Sequence, residues 1–204
     1  KDHDAKRDGG FLVCLMFANN ETGVIQPVKE GADIAHEKGG LIFVDAAQAV
    51  GKVPVNFVMS GADLMAVTAH KFGGPIGVGA LIAGPNLPLH PIMRGGGHES
   101  NRRAGTHNAP AIAGLGVAAD LAAGSIAKSP KISAMRDRMQ YAAEQAGAHI
   151  WGKGQERLPG TLSLSAPGFA SQTQLMAMDL AGIAISSGSA CSSGKTKPSH
   201  VLSA

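Results

Sequence analysis

The chain has 204 residues, 44% hydrophobic and 16% charged, enough apolar material for one domain or a domain and a half with a sizeable core. Lysine plus arginine exceed aspartate plus glutamate by only 18 to 15, and the basic residues form no stripe interleaved with the aromatics, which are scarce at 4%; this argues against a nucleic-acid partner. Two cysteines, Cys14 and Cys191, make neither a Cys-x-x-Cys motif nor a disulfide framework, and the polar residues 1–10 lack an apolar signal core, so a cytoplasmic protein is expected.

The first half alternates strand and helix signals. Apolar runs at residues 11–17 and 41–44 flank a helical stretch over 28–38, a βαβ rhythm. Both runs are continuously apolar, as in parallel strands covered on two faces. Further strands are expected over 64–67 and 78–83. Residues 87–107 turn to proline, glycine, histidine and arginine and read as a long functional loop. The next stretch, 109–126, is rich in alanine and glycine and interrupted by Asp120; it reads as a buried amphipathic helix rather than a membrane span. Ser129-Pro130 marks a domain boundary, so residues 1–128 and 129–204 are taken as two domains. Beyond it come a helix over 131–146, a strand over 161–165, a helix over 172–180 and a strand over 183–186. That strand leads into the small-residue segment 187–194, read as a loop.

Chemistry concentrates where strands end. Thr68-Ala69-His70-Lys71-Phe72 closes the third strand and enters Gly73-Gly74-Pro75, which places the Lys71 amine at the carboxyl edge of a parallel sheet, where open α/β folds bind ligands. A free lysine there is neutral only about once in 2,500 at pH 7; burial or capture by a cofactor aldehyde removes that handicap. Asp45 ends the strand over 41–44 and emerges at the same edge. There it can pair with a protonated pyridine nitrogen or cap the next helix. Cys14, inside Leu12-Val13-Cys14-Leu15-Met16, reads as a small core residue. The eight histidines form no His-x-His or His-Glu-x-x-His pattern, so metal ligation by this chain alone is not expected. His36 reads as a helix-surface residue and Trp151 as an anchor of the second domain.

Four segments occur in the order of one family: Ala18-Asn19-Asn20-Glu21-Thr22-Gly23, Val44-Asp45-Ala46-Ala47-Gln48, the lysine segment, and Ser187-Gly188-Ser189-Ala190-Cys191. The chain resembles the cysteine desulfurases of the class V aminotransferases. That resemblance implies an α/β, type I pyridoxal-phosphate transferase fold, with a partial cofactor-binding large domain (1–128) and a partial small domain (129–204) carrying the catalytic-cysteine loop. It implies that Lys71 forms the Schiff base with pyridoxal 5'-phosphate, Asp45 pairs with the pyridine nitrogen, and Gln48 bonds the phenolic oxygen. Asn20 lies near the substrate carboxylate, and Thr68 and His70 hold the phosphate. Thr106 reaches the cofactor phosphate of the neighbouring subunit, which requires a homodimer. Cys191 accepts sulfur from L-cysteine as a persulfide, with alanine released, and passes it to an acceptor or iron–sulfur scaffold protein, contacting an iron–sulfur cluster during transfer.

The same scaffold serves selenocysteine lyases and sulfinate desulfinases. A reading from another class is an inactive fragment that only binds a partner. The chain has about half the family's usual length, without the upstream ring-stacking histidine or the downstream carboxylate-gripping arginine, so a truncated gene or incomplete sequence is an expectation. Ile76 stands where the family has lysine, and Ser100-Asn101 where it has arginine-glycine. A sheet deprived of strands exposes apolar edges, and poor solubility or obligate association follows.

Overall fold

A computed structural model describes residues 9–188 and 199–203. The described chain divides into two compact units. One runs to Phe17 and resumes over Pro27–Ile126; the other joins Ala18–Gln26 to the residues from Ala127 onward.

The first unit is built on a four-stranded sheet in the order β1 (Leu12–Met16), β2 (Leu41–Asp45), β3 (Leu64–Thr68), β4 (Gly79–Ala83). The first three are parallel, Met16 opposite Asp45 and Asp45 opposite Ala66. Strand β4 runs antiparallel to β3, with Thr68 opposite Gly79. The short link from Lys71 to Gly79 leaves no length for a parallel crossover. The result is the mostly parallel α/β sheet expected, with one reversed edge.

Helix α1 (Val28–Glu37) connects β1 to β2. Its buried residues Val28, Ala32 and Ala35 are spaced as one helical face, and they pack with Ile42, Val44 and Met65 of the sheet. Full burial of each such large side chain is worth roughly 1.5–3 kcal/mol. Asp63 ties this layer together: one carboxylate oxygen accepts from the Ile42 N–H at 2.8 Å and faces His36 Nε2 at 2.8 Å. His36, expected on the helix surface, is exposed there and pins the carboxyl end of α1 to Asp63. A short helix α2 (Phe57–Ser60) is capped by Asn56, whose Oδ1 accepts from the Met59 N–H at 2.9 Å.

Helix α3 (Ala109–Ile126) has the predicted bounds. By length and composition it is apolar enough to cross a membrane. Its burial corrects the sequence reading. Only Ala111, Ala118 and Ala122 are buried, while Val117 is 60% and Leu121 65% exposed. Its moment is weak because alanines and glycines occupy most faces, so the sequence cannot mark which stripe is inside.

Cys14 is also corrected. Along β1 exposure alternates, and Leu12, Cys14 and Met16 all lie on the exposed side. A continuous apolar run does not reveal which of a strand's two faces is covered.

In the second unit, α4 (Ser129–Gln145) precedes a two-residue antiparallel ladder of β5 (His149–Ile150) and β6 (Leu164–Ser165), followed by α5 (Ser171–Leu180). Ile150 and Leu158 are buried at its centre. Arg136 Nη1 donates to the Leu158 carbonyl at 3.0 Å. Trp151 is half-buried and stacks edge-on against His149 at 4.7 Å. Segment 18–26 is closed on itself by a bridge between Ala18 and Ile25 and joins this unit through a bridge between Val24 and Arg157. The strand expected over 161–165 shrinks to β6, and residues 183–186 form no regular element. Ile183 and Ile185 are exposed; an apolar run becomes a strand only when another strand offers its hydrogen bonds.

Candidate active site

Parallel strands deliver their carboxyl ends to one edge, and β2 and β3 do so with chemistry at their tips. Asp45 is the last residue of β2. Its Oδ1 accepts from the Ala47 N–H at 2.9 Å, a local turn bond that orients the exposed carboxylate. Capping and ligand pairing are therefore compatible here. The turn continues through buried Ala46 and Ala49, with Ala49 N–H bonded to the Ala46 carbonyl at 3.0 Å, and presents Gln48 from the same edge.

On β3, Thr68 is the final strand residue and Ala69–Lys71 forms one tight 3-10 turn. Thr68 Oγ1 and His70 Nδ1 lie 3.0 Å apart. Whichever of the two donates that proton, the pair retains an O–H or N–H for a further acceptor. Lys71 is half-buried. The following turn is held by bonds from the Phe72 and Gly74 N–H groups to the Ala69 carbonyl, 3.0 and 2.9 Å. A Cβ on Gly74 would meet Ala69 Cβ at 2.7 Å and Ala118 Cβ at 3.2 Å. Glycine thus lets α3 close over the lysine turn.

The structure adds Lys52, which sequence reasoning passed over. Its Nζ donates to Gln48 Oε1 at 3.1 Å. Burial, and after it the Lys71 ammonium, lower its pKa from the ordinary lysine value. The available signal was the i, i+4 spacing of Gln48 and Lys52.

The remaining expected site residues come from other segments of the chain. Thr106 is exposed in the loop after Gly95–Gly97. In that loop Glu99 Oε1 contacts His107 Nε2 at 3.0 Å and Arg103 Nη2 at 3.5 Å. Glu99, Ser100 and Asn101 have φ of 50°, 55° and 64°, a left-handed run that ordinary residues adopt at a cost. The departure from arginine-glycine thus places Asn101, the side chain type that best tolerates this region, where glycine is expected. Ile76 is 87% exposed. Asn20 belongs to the second unit and is exposed; its neighbour Asn19 organises the turn, its Oδ1 accepting from the Glu21 and Thr22 N–H groups, both at 2.9 Å. Cys191 lies outside the described residues.

The donor set fits pyridoxal phosphate in kind. A carboxylate suits its pyridinium, an amine its aldehyde, and a hydroxyl–imidazole pair its phosphate, all at adjacent strand ends.

Residues 5–204 match the family model for aminotransferase class-V. The chain belongs to the class-V aminotransferases. Members of this family are pyridoxal-phosphate enzymes, so the cofactor expected from the lysine segment is the family's own. A cysteine desulfurase of Gluconacetobacter diazotrophicus is 44% identical over 196 residues, covering 95% of this chain and 49% of that protein. The NifS-like protein of Rickettsia africae superposes with a TM-score of 0.82 at 34% identity, over 87% of this chain and 50% of that one. SspA, solved in complex with cysteine, gives 0.74 at 28% identity over 97% and 55%. The chain spans about half the length of the curated relatives it matches.

Proposed function

We propose that this class-V aminotransferase chain acts as, or within, a cysteine desulfurase that converts L-cysteine to L-alanine and hands the sulfur to an acceptor protein. The observation that carries the reading is the arrival of Asp45, Thr68, His70 and Lys71 on the ends of two adjacent parallel strands. The 44% identity to a cysteine desulfurase supports it, and the cysteine bound to SspA supports the substrate class.

When bound, pyridoxal phosphate supplies an electron sink for a carbanion at the α-carbon of an attached amino acid. The protein's work is separate. Lys71 holds the cofactor aldehyde and, once released from it, moves the substrate α-proton as base and then acid. Asp45 supplies the negative charge that keeps the pyridine nitrogen protonated, and Gln48 donates to the phenolic oxygen. Thr68 and His70 offer the phosphate a donor. The Cys191 thiolate attacks the substrate sulfur: the S–S bond forms as the Cβ–S bond breaks, and Cβ takes a proton to give alanine. Cysteine and thiol thereby become alanine and persulfide, with no external oxidant. An ordinary thiol is only a few per cent ionised at pH 7, so a nearby cation promotes this step.

In this proposal the protein is a homodimer in which Thr106 serves the neighbouring subunit's cofactor, and the acceptor is a scaffold for iron–sulfur or thio-cofactor assembly. The test is to add pyridoxal phosphate, follow the imine absorption band, reduce with borohydride and map the adduct by peptide mass spectrometry. Modification of Lys71 is expected, and its loss in Lys71→Ala. A protein that takes up no cofactor at Lys71 would end the desulfurase reading.

A further inference from the structure

Lys52 sits on the turn that leaves β2, one residue past Gly51, whose φ of 76° only glycine takes without strain. A Cβ on Gly51 would lie 3.0 Å from Phe72 Cβ and 3.9 Å from Ala122 Cβ. This turn is therefore packed directly on the residue that follows Lys71, and α3 backs it. Backbone bonds from the Lys52 and Val53 N–H groups to the Ala49 carbonyl, 3.0 and 3.1 Å, fix the turn's shape. From it the Lys52 ammonium reaches Gln48 Oε1 at 3.1 Å.

A glutamine amide has two ends with opposite chemistry, an accepting oxygen and a donating NH2. Rotation by a half-turn exchanges them at little steric cost, so an unrestrained Gln48 offers a ligand either one. An ammonium is a donor only. Engaging Oε1, it stabilises one of the two amide orientations and leaves Nε2–H2 as the end available to a ligand.

We propose that Lys52 is a positioning residue that sets the amide orientation of Gln48, so that the strand edge presents a hydrogen-bond donor to an anionic or phenolic oxygen of its ligand. The identity of that oxygen as the pyridoxal phenolate rests on the proposed function; the Lys52–Gln48 coupling does not. Burial of the Lys52 amine, with the nearby Lys71 ammonium, disfavours its charge, and the Gln48 oxygen is an acceptor that offsets this cost. A rigid turn and a half-buried cation are the elements by which supporting residues hold a contacting side chain to one geometry.

Two measurements on the full chain test the inference. In cofactor-free protein, the side-chain 15N–1H pair of Gln48, assigned by its loss in Gln48→Glu, is expected to move toward free-amide shifts in Lys52→Met and to stay near wild-type in Lys52→Arg, which keeps a cationic donor. Unchanged Gln48 resonances in Lys52→Met would overturn the coupling whether or not any cofactor binds. With pyridoxal phosphate, absorbance titration is expected to show about fivefold weaker capture in Lys52→Met, the scale of one hydrogen bond, but less than about twofold further loss when Lys52→Met is added to Gln48→Leu. Equal losses in both backgrounds would mean Lys52 acts through the fold rather than through Gln48. Absence of capture in the wild type, with the resonance shift intact, would sink the desulfurase reading and leave the positioning role standing.

Discussion

The two faces of the four-stranded sheet have almost the same chemistry and opposite fates. On one, Ile42, Val44 and Met65 are at most 1% exposed beneath α1. On the other, Leu12, Met16, Leu41 and Leu81 are 38–54% exposed and Cys14 lies among them. Successive strand residues point to opposite faces, so both sets come from the same short runs, as the register of Leu12 with Leu41 and Val13 with Ile42 shows. Strands this apolar belong to a sheet covered twice. Among the described residues only one cover is present, in a chain spanning about half the length of its relatives. An exposed apolar face of this kind marks an interaction surface.

The largest expected effect breaks this symmetry by mutation. Ile42→Ala should cost about 2–5 kcal/mol, since it removes a fully buried branched side chain and leaves a cavity under α1. Its neighbour tests the other face. Leu41→Ala should fall within about 0.5 kcal/mol of wild type, as surface substitutions do. Denaturant titration of both variants measures the contrast, and comparable losses would show that the second face is packed in solution.

That contrast also explains what was legible in the sequence. Asp45 and Lys71 stood out because each follows an uninterrupted apolar run, so strand end and functional group coincide. The bounds of α1 and α3 were readable from pattern and turn residues. The direction of β4 was not stated by its composition; it follows from the short connection after Lys71. Nor was the fate of Cys14, because in a run apolar at every position the period of two disappears. Residues 183–186 carry strand propensity, yet pairing is a property of a neighbour that propensity does not supply. Lys52 was missed for a different reason: a lysine after glycine reads as a solvated turn, and its role depends on the side chain one helical turn earlier.

A chemical probe sharpens the comparison at one atom. In a Cys191→Ser background, Cys14 should react with a thiol reagent within about tenfold of the rate in the urea-unfolded chain, because exposure governs access to the thiol. Peptide-resolved mass spectrometry gives the rate. Strong protection that disappears on dilution would instead show the open face covered by a second copy.

The smallest effect lies in Lys52, at the meeting of turn and lysine segment. Its folded-state pKa is lowered, first by burial and then by the Lys71 ammonium, so between the folded pKa and the unfolded value near 10.4 the unfolded chain binds more protons. Stability from this group therefore rises with pH across that window, and the full cost of its charge is borne below it. Lys52→Met has no such proton to lose. Thermal unfolding of the two proteins at matched ionic strength should show wild type gaining on the variant as pH increases from neutrality toward 10, by a small margin because water screens a half-buried amine. Parallel profiles would mean that Lys52 keeps its ordinary affinity for protons, and that the hydrogen bond to Gln48 alone accounts for its place at the strand edge.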